Sequence, residues 1–107
     1  ISKILPVEDM PIGQLTWHLD VPVWELDGRP YAVTPRQVMA NAADHAAEHA
    51  RILRADLAYP VDIHLNRGRW MILDGVHRLA KAVLQGRTSL SVRKVPASEV
   101  DRAAPGP

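Results

Sequence analysis

The sequence has no cysteine. That absence excludes disulfides, thiolate zinc sites and cysteine nucleophiles together, and it suits a cytoplasmic location. Charge of one sign is also lacking: 13 basic residues stand against 12 acidic ones, a formal net charge of +1. A chain so balanced does not coat nucleic acid, and any DNA contact would need a local patch. No apolar run approaches the ~18 residues of a membrane helix, so no membrane partner is expected. No signal peptide is visible, and the sequence starts at Ile1. Phenylalanine is absent and aromatics make up 5%, which leaves Trp17, Trp24 and Trp70 as the expected large core fillers. With 107 residues there is material for one domain and one core, not for a two-domain enzyme.

What is present is a soluble globular pattern, 47% apolar and 23% charged. Five prolines between Pro6 and Pro35 cut the N-terminal third into pieces too short for helices. Residues 4–7 suit a short strand. Residues 21–26 and 31–33 flank Asp27-Gly28, a hairpin signal, with Pro30 confining the second arm to an edge. Thr34-Pro35-Arg36-Gln37 reads as a capping box that starts a helix to about Asn41. A second helix, capped by Asp44, is expected from His45 to about Leu57. Its buried stripe would be Ala46, Ala50, Leu53 and Leu57, with Arg51 and Arg54 off the stripe and Tyr59-Pro60 closing it. Residues 61–65 alternate as a half-buried strand, and Asn66-Arg67-Gly68 turns the chain. The continuous apolar run of residues 70–73 predicts an interior strand. Val76, Leu79, Ala80, Val83 and Leu84 share one helix face, Gly86 ends that helix, and residues 90–95 make a last strand. The expected class is therefore α+β, a small mixed sheet packed with helices over residues 1–96. Residues 97–107 read as a flexible tail.

Chemistry concentrates in Asp74-Gly75-Val76-His77-Arg78, where a strand gives way to a helix. The first N–H groups of a helix have no internal partner, and its dipole is positive there. A phosphate is stabilised at such a point. Gly75 allows close approach of a ligand to the backbone. His77, Arg78 and, one turn on, Lys81 would add donors and positive charge. Asp74 would repel a phosphate unless it binds Mg²⁺ or a substrate hydroxyl. The plain alternative makes Asp74 the helix cap, with His77 and Arg78 on a solvated face.

Strand, Gly-x-His-Arg at a helix start, a glycine-ended helix and a short strand together resemble the ParB/sulfiredoxin superfamily, most strongly over residues 61–95. Val76 stands where sulfiredoxins carry their reactive cysteine, which argues against sulfiredoxin activity. The form Asp-Gly-x-His-Arg is similar to that of free-serine kinases of the same superfamily. That resemblance implies that His77 and Arg78 hold the phosphates of ATP or another nucleotide; Gly75, Val76 and Lys81 join them as expected binding residues from their place at the helix start, with Mg²⁺ as the expected ion beside Asp74. It implies that Asp74 positions the hydroxyl of a small-molecule substrate. It also implies an upstream acidic catalytic residue, for which Glu25 and Glu48 are candidates and Glu48 is adopted. Two function classes follow: a phosphotransferase, or a ParB-like nucleotide-binding or DNA-associated module without catalysis. The chain ends soon after the last expected strand, which weighs against the chromosome-partition role.

A second pattern, His45-Ala46-Ala47-Glu48-His49, has the letters of an inverted zincin. A third ligand and a cleft are not apparent in so short a chain, so no catalytic zinc site is expected. His18 and His64 stand alone and read as packed or solvated residues. Arg67, Arg69, Arg87, Arg93 and Lys94 could form a basic edge, the one feature that would favour DNA.

Overall fold

The computed structural model describes residues 5–100. Its elements follow from local chemistry at several points. Asp27 and Gly28, with φ of 51° and 80°, form the tight turn between strands β2 (Trp24–Leu26) and β3 (Arg29–Val33). The two pair only with each other, so Pro30 sits in an edge strand as expected. Helix α1 (Pro35–Ala40) begins with the full capping box. The Gln37 amide donates to Thr34 Oγ1 at 3.1 Å, and the Thr34 amide donates to Gln37 Oε1 at 2.8 Å. Helix α3 (Val76–Leu84) closes in a Schellman motif. The Gly86 amide donates to the Val83 carbonyl at 2.9 Å and the Arg87 amide to the Ala82 carbonyl at 3.0 Å.

The main sheet holds β1 (Val7–Pro11), β4 (Val61–Asn66), β5 (Arg69–Asp74) and β6 (Ser89–Lys94), in spatial order β1-β6-β4-β5. β4 and β6 run parallel, and the other two pairs are antiparallel. The domain is thus α+β with a mixed sheet. One sheet face packs on the helices through Val61, Ile63, Leu90 and Val92, against Leu79, Ala80, Val38 and Ile52. Val61 and Asp62 lie opposite Val92 and Arg93. That register sets Asp62, 7% exposed, beside Arg93, which donates from Nε at 2.7 Å and from a terminal nitrogen at 3.0 Å. A buried carboxylate needs such a fork, and this one fixes the β4–β6 register.

Several expectations need correction. β5 is not interior. It is an edge strand of the four, and Met71 is exposed. Its apolar run is explained by a different cover. The 3-10 helix Thr16–Asp20 lies along the open edge and satisfies its backbone with side chains. Trp17 Nε1 donates to the Trp70 carbonyl at 3.2 Å, and the Ile72 amide donates to His18 Nε2 at 2.9 Å. Two side chains thus replace a neighbouring strand. Helix α2 spans Ala46–Arg54 and is shorter than expected, with His45 rather than Asp44 at its N-cap. Its inward face carries Glu48 and Ile52; of the expected stripe Leu53 is 56% exposed, while Leu57, beyond the helix end, packs half-buried against the core. The first strand starts at Val7, and Ile4, placed in it from sequence, lies outside the described residues. Of the tryptophans only Trp24 is buried, and aliphatic side chains fill the core instead. Residues 97–100 pack on the domain, with a 3-10 turn at Ala97–Glu99 and Glu99 buried; the rest of the expected tail lies outside the described residues. Among the described residues no helix is long and apolar enough to cross a membrane.

His18 makes this edge sensitive to pH. Its Nδ1–H donates to the Leu15 carbonyl at 2.7 Å while Nε2 accepts from Ile72, so both nitrogens are used by the neutral ring. Burial, helped by the nearby Arg69 charge, lowers its pKa below the ordinary imidazole value of 6.5. The unfolded chain therefore binds the proton more readily than the folded one. The contribution of His18 is complete above about 6.5 and is lost as pH falls through that value toward the folded one. His18→Leu should cost ~2–3 kcal/mol at pH 8, since two buried backbone groups lose their partners. Urea unfolding at pH 8 and pH 5 should show the gap between variant and wild type narrowing at pH 5. A gap of constant size would refute the assignment.

Candidate functional site

The turn between β5 and α3 is built around Gly75. It is the N-cap of α3 with φ of 122°, and no side chain caps the helix. The first helical bond is Leu79 N–H to the Gly75 carbonyl at 3.0 Å, so the amides of Val76, His77 and Arg78 precede the ladder. A Cβ at Gly75 would stand 3.0 and 3.1 Å from the Val61 methyls and 3.2 Å from Arg78 Nη1. Asp74 is therefore not the cap. It ends β5, exposed, and its carboxylate has no partner among the described residues.

This helix start opens into a cleft of about 290 Å³ lined by Arg51, Arg54, Ala55, Asp74, Gly75, His77 and Arg78. Three arginines face one carboxylate. Each is held differently. Arg78 donates to the Pro60 carbonyl at 3.1 Å and is partly buried, not free on a polar face as the sequence suggests. Arg51 donates to Glu48 Oε2 at 3.3 Å. Arg54, at the end of α2, has no side-chain partner among the described residues.

His77 is fixed from two sides. Its Nε2 lies 2.5 Å from Glu48 Oε1, and its ring stacks on Trp24 with centroids 4.4 Å apart and planes 16° from parallel. A carboxylate accepts, so Nε2 carries the proton, and Nδ1 is left without a partner among the described residues. Glu48 thus reaches the turn through a histidine 29 positions away in sequence. On its other side Glu48 lines a hollow of about 190 Å³ with Glu25, Asp27, Asp44 and His45. Glu25 belongs to that acidic hollow, not to the cationic cleft.

The structure therefore brings together Asp74, Gly75, Val76, His77, Arg78 and, through His77, Glu48. Lys81 points elsewhere. Its ammonium accepts no role in the cleft lining and instead donates to the Leu53 and Ala55 carbonyls at 2.9 and 2.6 Å, closing the C-terminus of α2. Arg51 and Arg54 were missed as site residues because their helix was read in isolation. The successive i, i+3 steps from Glu48 to Arg51 and from Arg51 to Arg54 were the available signal. The basic edge is largely engaged: Arg69 lies over Trp17, Arg87 bonds Gln85, Arg93 holds Asp62, and Lys94 pairs with Glu8.

Among the described residues no three His, Asp or Glu side chains cluster tightly enough to hold a metal ion. The lone Asp74 fits Mg²⁺ only as Mg²⁺ is commonly held, by one carboxylate together with ligand phosphates and waters.

Replacing Gly75 by Ala should distort the turn. The left-handed φ and the close Val61 and Arg78 contacts should together cost ~1–3 kcal/mol, and anion affinity should fall with them. Thermal unfolding checks the first effect. A Gly75→Ala protein as stable as wild type would show that the turn tolerates a Cβ.

Compared with protein-family models, with curated proteins and with solved structures, the chain has no match.

Proposed function

We propose that the chain is a nucleotide-phosphate-binding domain of the ParB/sulfiredoxin type, acting as a small-molecule phosphotransferase. One observation carries the reading: the uncapped start of α3 faces a cleft that gathers Arg51, Arg54, His77 and Arg78 around a single unpartnered carboxylate. Free helix amides, a positive dipole end and arginine forks are the chemistry that recognises phosphate. A cleft of about 290 Å³ is at the small end for a ligand site, which suits phosphate groups better than a whole nucleotide.

Phosphoryl transfer needs mainly positioning and charge neutralisation. In this reading the amides of residues 76–78 and the three arginines hold the phosphates. Asp74 takes the proton of the substrate hydroxyl as the hydroxyl oxygen bonds to the terminal phosphorus, and the bond from that phosphorus to the departing nucleoside diphosphate breaks. Mg²⁺, held by Asp74 and the phosphates, would supply further charge neutralisation. Glu48 is a positioning residue, orienting His77 rather than touching the reacting atoms.

Calorimetry with ATP and with inorganic tripolyphosphate tests the reading. Arg54→Ala and Arg78→Ala should each weaken binding about ten- to hundredfold, since a charge-assisted hydrogen bond contributes roughly 1.5–3 kcal/mol. Arg78→Ala should also lose about 1 kcal/mol of stability with its Pro60 contact. Asp74→Asn should bind as well or better without Mg²⁺ while phosphoryl transfer is abolished. Wild type that binds neither ligand at millimolar concentration contradicts the proposal. Binding without transfer to any hydroxyl substrate selects the alternative, a ParB-like nucleotide-binding module without catalysis.

A further inference from the structure

We infer that Tyr59 is the platform on which the base of the nucleotide stacks, a role that rests on the phosphate reading of the cleft. The cleft itself offers a base nothing to lie on. Ala55 is its one apolar lining side chain beside charged or polar ones, and the His77 ring is already covered by Trp24. A nucleotide whose phosphates fill about 290 Å³ must carry its nucleoside outside.

Tyr59 stands beside Arg78, just outside the cleft lining. The residue is 62% exposed, and its ring centroid is 6.0 Å from the Arg78 guanidinium carbon. Exposure alone would mean little, since single apolar side chains are common on surfaces. The mounting is what distinguishes it. The Tyr59 amide donates to the Asp56 carbonyl at 3.2 Å, and the Ala58 amide donates to Asp56 Oδ1 at 2.9 Å, so residues 56–59 form a braced turn. The next residue, Pro60, accepts the Arg78 hydrogen bond. The aromatic ring and the phosphate-binding arginine are thereby fixed to one short piece of backbone, a set distance apart. The tryptophans are otherwise placed: Trp17 is covered by Arg69, Trp24 is stacked on His77, and Trp70 lines a separate hollow with His64 and Lys94. Tyr31, the other exposed aromatic, is on the β2–β3 hairpin.

Base-on-aromatic stacking is sequence-tolerant and is worth roughly tenfold or more in affinity. Titration calorimetry of wild type, Tyr59→Ala and Tyr59→Phe with ATP and with inorganic tripolyphosphate separates the base from the phosphates. Wild type should bind ATP about tenfold more tightly than tripolyphosphate. Tyr59→Ala should lose that advantage and keep its tripolyphosphate affinity, which also reports that the variant is folded. Tyr59→Phe should keep the advantage. An ATP advantage that survives in Tyr59→Ala overturns the inference. So does wild type that binds both ligands equally, an outcome that leaves the phosphate cleft standing. Wild type that binds neither removes the cleft reading and the platform with it.

Discussion

The Glu48–His77 contact joins parts of the chain that nothing local would bring together. Glu48 comes from α2, His77 from α3, and Trp24, stacked on the same imidazole, from the β2–β3 hairpin. The hairpin is not part of the main sheet. Its inward Trp24 therefore sets where it sits, and the imidazole supplies both a flat face and a hydrogen-bond donor for the purpose. Lys81 adds a second tie between the same two helices by closing the last carbonyls of α2. With α2 held at both Glu48 and its C-terminus, Arg51 and Arg54 have little choice but to face the start of α3.

That arrangement separates charge. On one side of the Glu48–His77 pair lies a cleft with three arginines, and on the other a hollow with Glu25, Asp27 and Asp44. Glu48 belongs to the acidic side and partly offsets Arg51 at 3.3 Å. Arg54 and Arg78 are left as the cations best placed for a ligand, lining the same cleft as the start of α3, with Gly75 keeping the approach open.

Features decided by neighbouring residues were legible in the sequence. The Thr34 box, the Asp27-Gly28 turn and the Gly86 stop each depend on two to five residues, and each forms as read. The Asp74-to-Arg78 turn was legible for the same reason. Features decided by partners far along the chain were not. The run through Ile72 reads as an interior strand because apolar content reports burial, not what provides it. Here the cover is a 3-10 segment whose Trp17 and His18 lie more than 50 residues earlier. The inward face of α2 was misread because alanine and leucine were taken for the buried stripe, whereas the buried side is half polar, with Glu48 paired to His77. Asp62 looked like the solvent side of an alternating strand, and only the β4–β6 register reveals the arginine that holds it. Lys81 was counted with the phosphate turn on spacing alone, and the competing carbonyls of α2 claimed it.

On the proposed reading anions bind at the start of α3, in the cleft lined by Arg54 and Arg78. Backbone amide NMR during titration with inorganic tripolyphosphate tests it most directly, because the proposed ligands include the amides themselves. The largest shift changes should fall on Gly75, Val76, His77 and Arg78, with smaller ones at Arg51 and Arg54. Changes centred instead on the hollow around His64, Trp70 and Lys94 at the other end of the sheet, with the α3 amides unmoved, would contradict it.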